Sequence, residues 1–223
     1  MRVLTAGQYA SGALLLSLAL GFSANAAAKG HWDWSQEVRY VGNHDPHRVW
    51  LDGTKDKNIE VIFGAIPWDE LNAWPKGKQL LLAYSGKTGT VLVDPDSGKW
   101  DAVVGGIKHQ PIDLLAEACF KRAKTTRDTE SCYVQQQSRW GAEMKLWYRR
   151  FMAMKGMNVS DAAKQSLKKA QQQWEAFHDA QSDALGELYG PRQGTIWPTV
   201  ELKKEVELLK ARALELASYC RVL

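Results

Sequence analysis

Residues 79–104 read QLLLAYSGKTGTVLVDPDSGKWDAVV, and this stretch decides the fold of the N-terminal half. Three short apolar runs alternate with two segments that are rich in Gly, Asp, Ser and Thr, residues that favour tight turns. Short apolar runs bounded by turn residues are typical of β-strands. The stretch therefore predicts an antiparallel meander of three strands.

Similar short apolar runs lie upstream of the meander. Val38 and Tyr40 are two residues apart, and so are Val49 and Leu51. A hydrophobic period of two predicts strands that bury one face. We therefore expect a small antiparallel β-rich module over residues 27–109.

The hydrophobic period changes in the C-terminal half, where apolar residues recur every three or four positions, as they do on amphipathic helices. Ser160 is a typical N-cap residue, and Gly190-Pro191 predicts the end of a helix. We expect about four helices over residues 110–223. The predicted fold class is α+β, with the β-rich module first and the helical module second.

Helical spacing also predicts which side chains are buried. We expect Trp140, Trp147 and Trp174 to lie mainly in the core, and Arg149 and Arg150 to lie on a solvated face. The predicted buried face of the third helix comprises Leu167, Ala170, Trp174, Phe177, Ala184 and Leu188.

The N-terminal segment has the pattern of an export signal. Arg2 supplies a basic start, and residues 10–22 form an apolar run that is shorter than the roughly 20 residues of a membrane-spanning helix. Ala24 and Ala26 satisfy the small-x-small rule for signal peptidase. We predict a signal peptide over residues 1–26, cleavage, and a bacterial periplasmic or secreted protein without a later membrane span.

Composition and charge exclude several classes of function. The 223 residues are 45% hydrophobic and 24% charged, which is the balance of a globular protein, and a net charge of +4 is too small for a dedicated nucleic-acid binder. The motifs of serine hydrolases, zinc proteases and phosphate-binding loops are absent from the sequence. His44 and His47 lie in a turn-like stretch that offers no ordered scaffold for a metal. We expect no enzyme activity, no cofactor and no metal.

Several positions of the helical half form a recognisable pattern. Cys119 and Cys132 lie about a dozen residues apart, and further matching positions follow them: Trp140, Tyr148, Leu167, Gln171, Trp174, Asp179, Gly194, Thr195 and Arg212. At these positions, the region that spans roughly residues 112–219 resembles the LprI-like lysozyme-inhibitor family. The chain departs from the family at Gln181-Ser182, where a further cysteine is often found.

The resemblance implies a structural disulfide between Cys119 and Cys132 in an exported chain. Cys220 is then left over, and the residues alone leave three connectivities open. The resemblance also implies a non-enzymatic protein that occludes the cleft of a peptidoglycan hydrolase of the lysozyme type.

Lysozymes of this kind are usually cationic, so an acidic patch is the natural place for docking. We therefore select Asp94, Asp96 and Asp101, around the last β-turns, as candidate partner-binding residues. Trp68 and Trp100 also lie beside turns and are candidates for the same contact.

Two other functions remain open at the level of sequence. In the first alternative, the chain is an immunity or adaptor protein for another cell-wall enzyme. In the second, it is an envelope scaffold or a cell-wall enzyme that acts through the β-rich half. An enzyme turns over its substrate, whereas an inhibitor saturates at one equivalent.

Overall fold

A β-module and a helical module follow one another along the chain. The computed structural model describes residues 31–62, 66–154, 159–191 and 196–221. The β-module contains β1 Trp34–Asp45, β2 Arg48–Asp52, β3 Asn58–Ile62, the short helix α1 Trp68–Asn72, β4 Gln79–Ser85, β5 Gly89–Val93 and β6 Trp100–Gly105. The helical module contains α2 Pro111–Phe120, α3 Thr126–Ala153, α4 Asp161–Tyr189 and α5 Trp197–Arg221. The predicted α+β class and module order are confirmed. The expected signal peptide lies outside the described residues.

The strands described close into an antiparallel barrel. Their order is β1-β2-β3-β6-β5-β4, and β4 pairs with β1 to complete the circle. The predicted meander is present, since β4 pairs with β5 and β5 pairs with β6. Gly89 and Gly98 end its two turns with φ angles of 65° and 70°, a conformation in which glycine avoids steric strain.

The barrel interior follows from the alternation of side chains along the strands. Val38 and Tyr40 of β1 point inward, as do Val49 and Leu51 of β2. Trp74, which follows α1, joins the same cluster and meets the Tyr40 ring edge-on at 5.5 Å between centroids. The alternating apolar residues that predicted strands therefore form the inward face of a closed barrel.

Side-chain caps fix where the long helices begin. The Thr125 hydroxyl oxygen accepts a hydrogen bond from the Asp128 amide at 3.1 Å, and the Asp128 carboxylate accepts one from the Thr125 amide at 3.0 Å. This reciprocal pair is a capping box, which satisfies two amides at the start of α3. Ser160 accepts from the Ala163 amide at 3.1 Å, so the predicted N-cap of α4 is present.

One disulfide joins the first two helices of the helical module. Cys119 of α2 and Cys132 of α3 are bonded, with their Cα atoms 5.7 Å apart, which confirms the implied bridge. Cys220 is a free thiol buried at the end of α5, and burial raises its pKa to about 11. A thiol that stays protonated is a poor partner for disulfide exchange.

The two modules share a core. Tyr84 and Val104 of the barrel lie in one cluster with Trp140 and Trp147 of α3 and Leu216 of α5. The prediction that these two tryptophans are core residues is confirmed, because both are almost fully buried. The barrel, α3 and α5 therefore meet at one core, and α5 also contacts the barrel directly, since Arg221 lies 3.1 Å from Glu60 of β3.

A buried aspartate fixes the connection between the modules. The Asp56 carboxylate accepts hydrogen bonds from the backbone amides of Lys108 and His109, each at 3.0 Å. These amides lie between β6 and α2, so the turn after β2 holds the segment that leads into the helices.

Buried polar groups also lie where α3 meets the barrel. The Trp147 indole donates to the Glu143 carboxylate at 2.8 Å, and Arg150 donates to the Thr88 carbonyl at 2.7 Å while its guanidinium lies 4.4 Å from the centre of the Trp147 ring. The prediction that Arg150 is solvated is wrong, because the barrel supplies a carbonyl acceptor for it. Burial raises the pKa of Glu143 to about 7, although the Trp147 hydrogen bond and the Arg150 charge act in the opposite direction.

The predicted buried face of α4 is largely wrong. Leu167, Gln171 and Leu185 are its buried residues, while Phe177 and Leu188 are exposed. Helix α4 packs mainly on α5, and this contact contains polar side chains. Because a helix buries only the stripe that faces its neighbours, the apolar residues of α4 outside that stripe remain exposed.

None of the described helices combines the length and hydrophobicity needed to cross a membrane.

We expect removal of the disulfide to destabilise the protein substantially. In the chain-entropy model, a bridge that closes a loop of this length contributes roughly 3 kcal/mol. The double substitution Cys119→Ala and Cys132→Ala should therefore lower the free energy of unfolding by about that amount in urea titrations. Added reductant should destabilise the wild type to the same level and leave the variant unchanged. Equal stability of the oxidised wild type and the variant would contradict the prediction.

Glu143 should make stability fall as pH rises. Its pKa is raised in the folded state, so the native protein holds a proton that the unfolded chain releases above its ordinary pKa of 4.5. The stability contribution is therefore complete below about pH 4.5 and is lost as pH rises through about 7. Relative to wild type, Glu143→Gln should therefore become more stable as pH rises through this interval. The expected gain in the free energy of unfolding is on the order of 1.4 kcal/mol per unit of pKa shift.

Asp101 provides the matched control for that measurement. Burial raises its pKa to about 6, so Asp101→Asn should gain relative stability over a lower pH interval that ends near 6. Urea titrations of both variants from about pH 4 to 8 should separate the two carboxyls. A pH dependence of Glu143→Gln that is parallel to wild type would exclude the buried, protonated Glu143.

Candidate functional site

The positions that matched the family pattern are distributed over three helices. Trp140 and Tyr148 lie on α3, four more positions lie on α4, and Arg212 lies on α5; the α4 set is Leu167, Gln171, Trp174 and Asp179. Gly194 and Thr195 lie outside the described residues. Most of the described positions are buried or half-buried, whereas Asp179 has an exposed side chain.

Three of these positions meet at the contact between α4 and α5. The Arg212 side chain is almost fully buried, and its Nε donates to the Gln171 amide oxygen at 3.1 Å. Its guanidinium lies 5.9 Å from the centre of the Trp174 ring and donates to Glu215 at 2.8 Å. Since a buried guanidinium is stable only with partners, this network fixes the position of α4 on α5. We name Gln171, Trp174 and Arg212 the α4–α5 seam.

A second polar group continues the contact along α4. The Ser182 hydroxyl donates to one oxygen of Glu205 at 2.6 Å, and His178 Nε2 lies 2.9 Å from the other oxygen. His178 also stacks on Trp174 with 5.1 Å between the ring centres. In a nucleophilic triad the imidazole lies between the hydroxyl and the carboxylate. Here the carboxylate lies in the middle, so the imidazole does not contact the hydroxyl that it would have to deprotonate.

An aspartate at the start of α2 joins three helices. Asp113 accepts hydrogen bonds from the Trp140 indole at 3.1 Å, from Gln136 at 2.9 Å and from Lys210 at 2.6 Å. Sequence reasoning missed this residue. Its position in the first turn after Pro111 indicated a favourable interaction with the helix dipole, but gave no indication of partners on α3 and α5.

The helical part of the chain matches one known family. Residues 119–216 match the family model described as lysozyme inhibitor LprI. The resemblance predicted for this half of the chain is thereby confirmed. The LprI match begins at the first disulfide cysteine and ends near Leu216, so it contains the bridge and the α4–α5 seam. The barrel lies outside it.

Neither the curated proteins nor the solved structures include a match to this chain.

The acidic patch selected from the sequence is mostly turned inward. Asp94 and Asp101 are 2% and 5% exposed, whereas Asp96 is exposed. Asp94 accepts from the Asp96 amide at 3.0 Å and pairs with Lys78 at 3.0 Å. It therefore builds its own turn, as aspartates often do. Burial acts against ionisation, but these hydrogen bonds and Lys78 lower the pKa of Asp94.

The other candidates around these turns differ in exposure. Trp68 is exposed at the start of α1, whereas Trp100 is partly buried against the core clusters. A contact between this end of the barrel and a partner stays a prediction, and it depends on Asp96 and Trp68.

The histidine pair of the first hairpin has ordinary structural contacts. The Asp45 carboxylate accepts from the His47 amide at 2.9 Å, and His47 Nδ1 lies 3.3 Å from the Val61 carbonyl oxygen. Within the described part of the chain, no group of three His, Cys, Asp or Glu side chains is arranged to hold a metal ion.

Loss of Arg212 should loosen α4 specifically. Arg212→Met removes the donor to Gln171 and leaves a buried amide oxygen without a partner, which costs about 2 kcal/mol. Because α4 packs mainly on α5, hydrogen exchange should become faster in α4 and change less in α3. Arg149→Met, which alters an exposed arginine on α3, is the matched control. Equal protection of α4 in the two variants would show that the seam does not fix α4.

Proposed function

We propose that the protein is an exported, non-enzymatic binding protein whose LprI part inhibits a peptidoglycan hydrolase of the lysozyme type. The match of residues 119–216 to the lysozyme inhibitor LprI family carries this proposal. The description of that family names an inhibitor, so the expected partner is a protein.

The architecture supports inhibition by occlusion of a cleft. The bridge between Cys119 and Cys132 and the shared core hold the helices in one arrangement. A binding surface that is already ordered loses little conformational entropy when a complex forms. An interface of the usual size needs about 800 Å² from each partner, and a helical module of this length supplies that area.

The disulfide also supports the proposed location. Structural disulfides persist in oxidising compartments, such as the bacterial periplasm or the medium outside the cell. We propose that residues 1–26 are removed on export and that the mature chain acts in the periplasm or as a secreted protein.

The proposal predicts saturating inhibition. The chain without residues 1–26 should reduce the clearing of a peptidoglycan suspension by c-type lysozyme, and residual activity should reach its minimum near one equivalent when both proteins are well above Kd. An unrelated disulfide-bonded protein at equal concentration is the control. If c-type lysozyme keeps its full activity in the presence of about a tenfold excess of the protein, inhibition of c-type lysozyme is rejected.

A further inference from the structure

A cavity lies between three helices of the helical module. Its volume is about 340 Å³, which is within the range of pockets that hold small molecules. Its described lining residues all belong to α2, α3 or α5, so it is separate from the contact between α4 and α5. Asp113 of α2 and Lys210 of α5 both line it, and their ion pair of 2.6 Å bridges the two helices. We name it the α2–α5 cavity.

One part of the cavity wall is apolar. Ala116 and Val206 are almost fully buried there. The rings of Phe120 and Tyr133 also line the cavity, with 4.6 Å between their centres. Both rings are half-buried, so part of each remains accessible to a ligand. An aliphatic or aromatic group that covered this wall would gain hydrophobic free energy.

A buried amide supplies a hydrogen-bond acceptor in the same cavity. Gln136 of α3 lines the cavity and is 8% exposed. Its amide nitrogen donates to Asp113 at 2.9 Å, but its amide oxygen accepts no hydrogen bond from any residue that the structure describes. Since this oxygen is largely shielded from bulk water, an N–H group of a ligand gains more from it than it would in solution.

Two opposite charges line the cavity without a partner. Glu117 lies on α2 and Lys203 lies on α5, and both are exposed. Across the described ranges, neither forms an ion pair or a side-chain hydrogen bond, whereas the other lysine of the cavity, Lys210, is held by Asp113. An unpaired acid on one helix and an unpaired lysine on the other match a ligand that carries both an ammonium group and a carboxylate.

We propose that the α2–α5 cavity binds a zwitterionic dipeptide with apolar side chains. Glu117 pairs with the ammonium group, and Lys203 pairs with the carboxylate. The Gln136 amide oxygen accepts from the peptide N–H, and the apolar side chains lie against Phe120 and Tyr133. A free amino acid lacks the peptide N–H, and an uncharged apolar molecule lacks both end charges, so neither matches the whole set of groups.

This site goes beyond the proposed inhibition of a hydrolase, because its occupant is a small molecule. It also extends beyond the family match. Residues 119–216 include Lys203 and Gln136, whereas Glu117 precedes them. Neither proposal requires the other, so the two are tested separately.

The probes are two apolar dipeptides, leucyl-phenylalanine and leucyl-leucine. Each is also prepared with an acetylated N-terminus, with an amidated C-terminus, and with both ends capped. Calorimetry measures their binding to the chain without residues 1–26.

Two variants of the cavity are compared with two matched controls. Glu117→Gln and Lys203→Gln each remove one end charge from the site. Glu187→Gln and Lys169→Gln remove the same charges from exposed positions on α4. Circular dichroism establishes that each variant keeps its helices.

We expect each cavity variant to raise the Kd of the free dipeptides at least about threefold, and the α4 controls to keep it within about 1.5-fold. The loss should depend on the matching end of the ligand. The acetylated dipeptides lack the ammonium group, so wild type and Glu117→Gln should bind them equally. The amidated dipeptides lack the carboxylate, so wild type and Lys203→Gln should bind them equally. A purely structural effect of either substitution would not follow the capped end.

Three results would overturn the proposal. The first is absence of binding by both free dipeptides at roughly 10 mM. The second is an equal Kd for the free and the doubly capped dipeptides, because the cavity would then be an apolar site that does not recognise charge. The third is a loss in the α4 controls as large as in the cavity variants, because net charge would then explain the effect. The lysozyme assay contains no dipeptide, so none of these results affects the inhibitor proposal.

Discussion

The burial of the aromatic side of α3 is the constraint on which the other elements depend. Trp140 and Trp147 need apolar neighbours for their rings and acceptors for their indole N–H groups, and no single module supplies all of these. The barrel wall covers them from one direction, while α2 and α5 cover them from others. A shared core of this kind makes the barrel and the helices fold as one cooperative structure, since exposure of either tryptophan would cost the hydrophobic free energy of a large side chain.

The position of α4 follows from this arrangement. Because α2, α5 and the barrel cover α3, the remaining long helix, α4, packs mainly on the outside of α5. The buried side of α4 combines Leu167 and Leu185 with a polar network that comprises Gln171, His178, Glu205 and Arg212. A polar contact specifies one orientation, because each buried donor and acceptor must meet its partner. The side of α4 that faces away from α5 is therefore equally well defined.

Local patterns in the sequence determined what was foreseen correctly. The meander, the Ser160 cap and the core position of Trp140 each depend on residues a few positions apart. The pairing of β1 with β4, which closes the barrel, joins residues that are forty to fifty positions apart, from Arg39 with Gln79 to Trp34 with Tyr84, and it has no local signature. The buried face of α4 was misjudged for the same reason, since its amphipathic pattern cannot reveal that α5 is its main neighbour.

The candidate site shows the same division between local and distant information. Asp113 and Lys210 are in contact although they are 97 positions apart in the sequence. Arg150 is held by a hydrogen bond to the carbonyl of Thr88 in the barrel, 62 positions away. By contrast, the inward role of Asp94 was accessible from the sequence. An aspartate that opens a Pro-Asp-Ser-Gly turn commonly accepts hydrogen bonds from that turn, so it has little left to offer to a partner.

The place of α5 in the shared core has a consequence for the order in which the chain folds. Ala213, Leu216 and Cys220 contribute to the cluster that also contains barrel and α3 side chains. During synthesis, the barrel strands and α3 leave the ribosome before α5, so this core is incomplete until α5 has been made. The side chains of β4, β6 and α3 in this cluster therefore reach their final packing only when a segment more than fifty residues further along the chain than α3 has joined them.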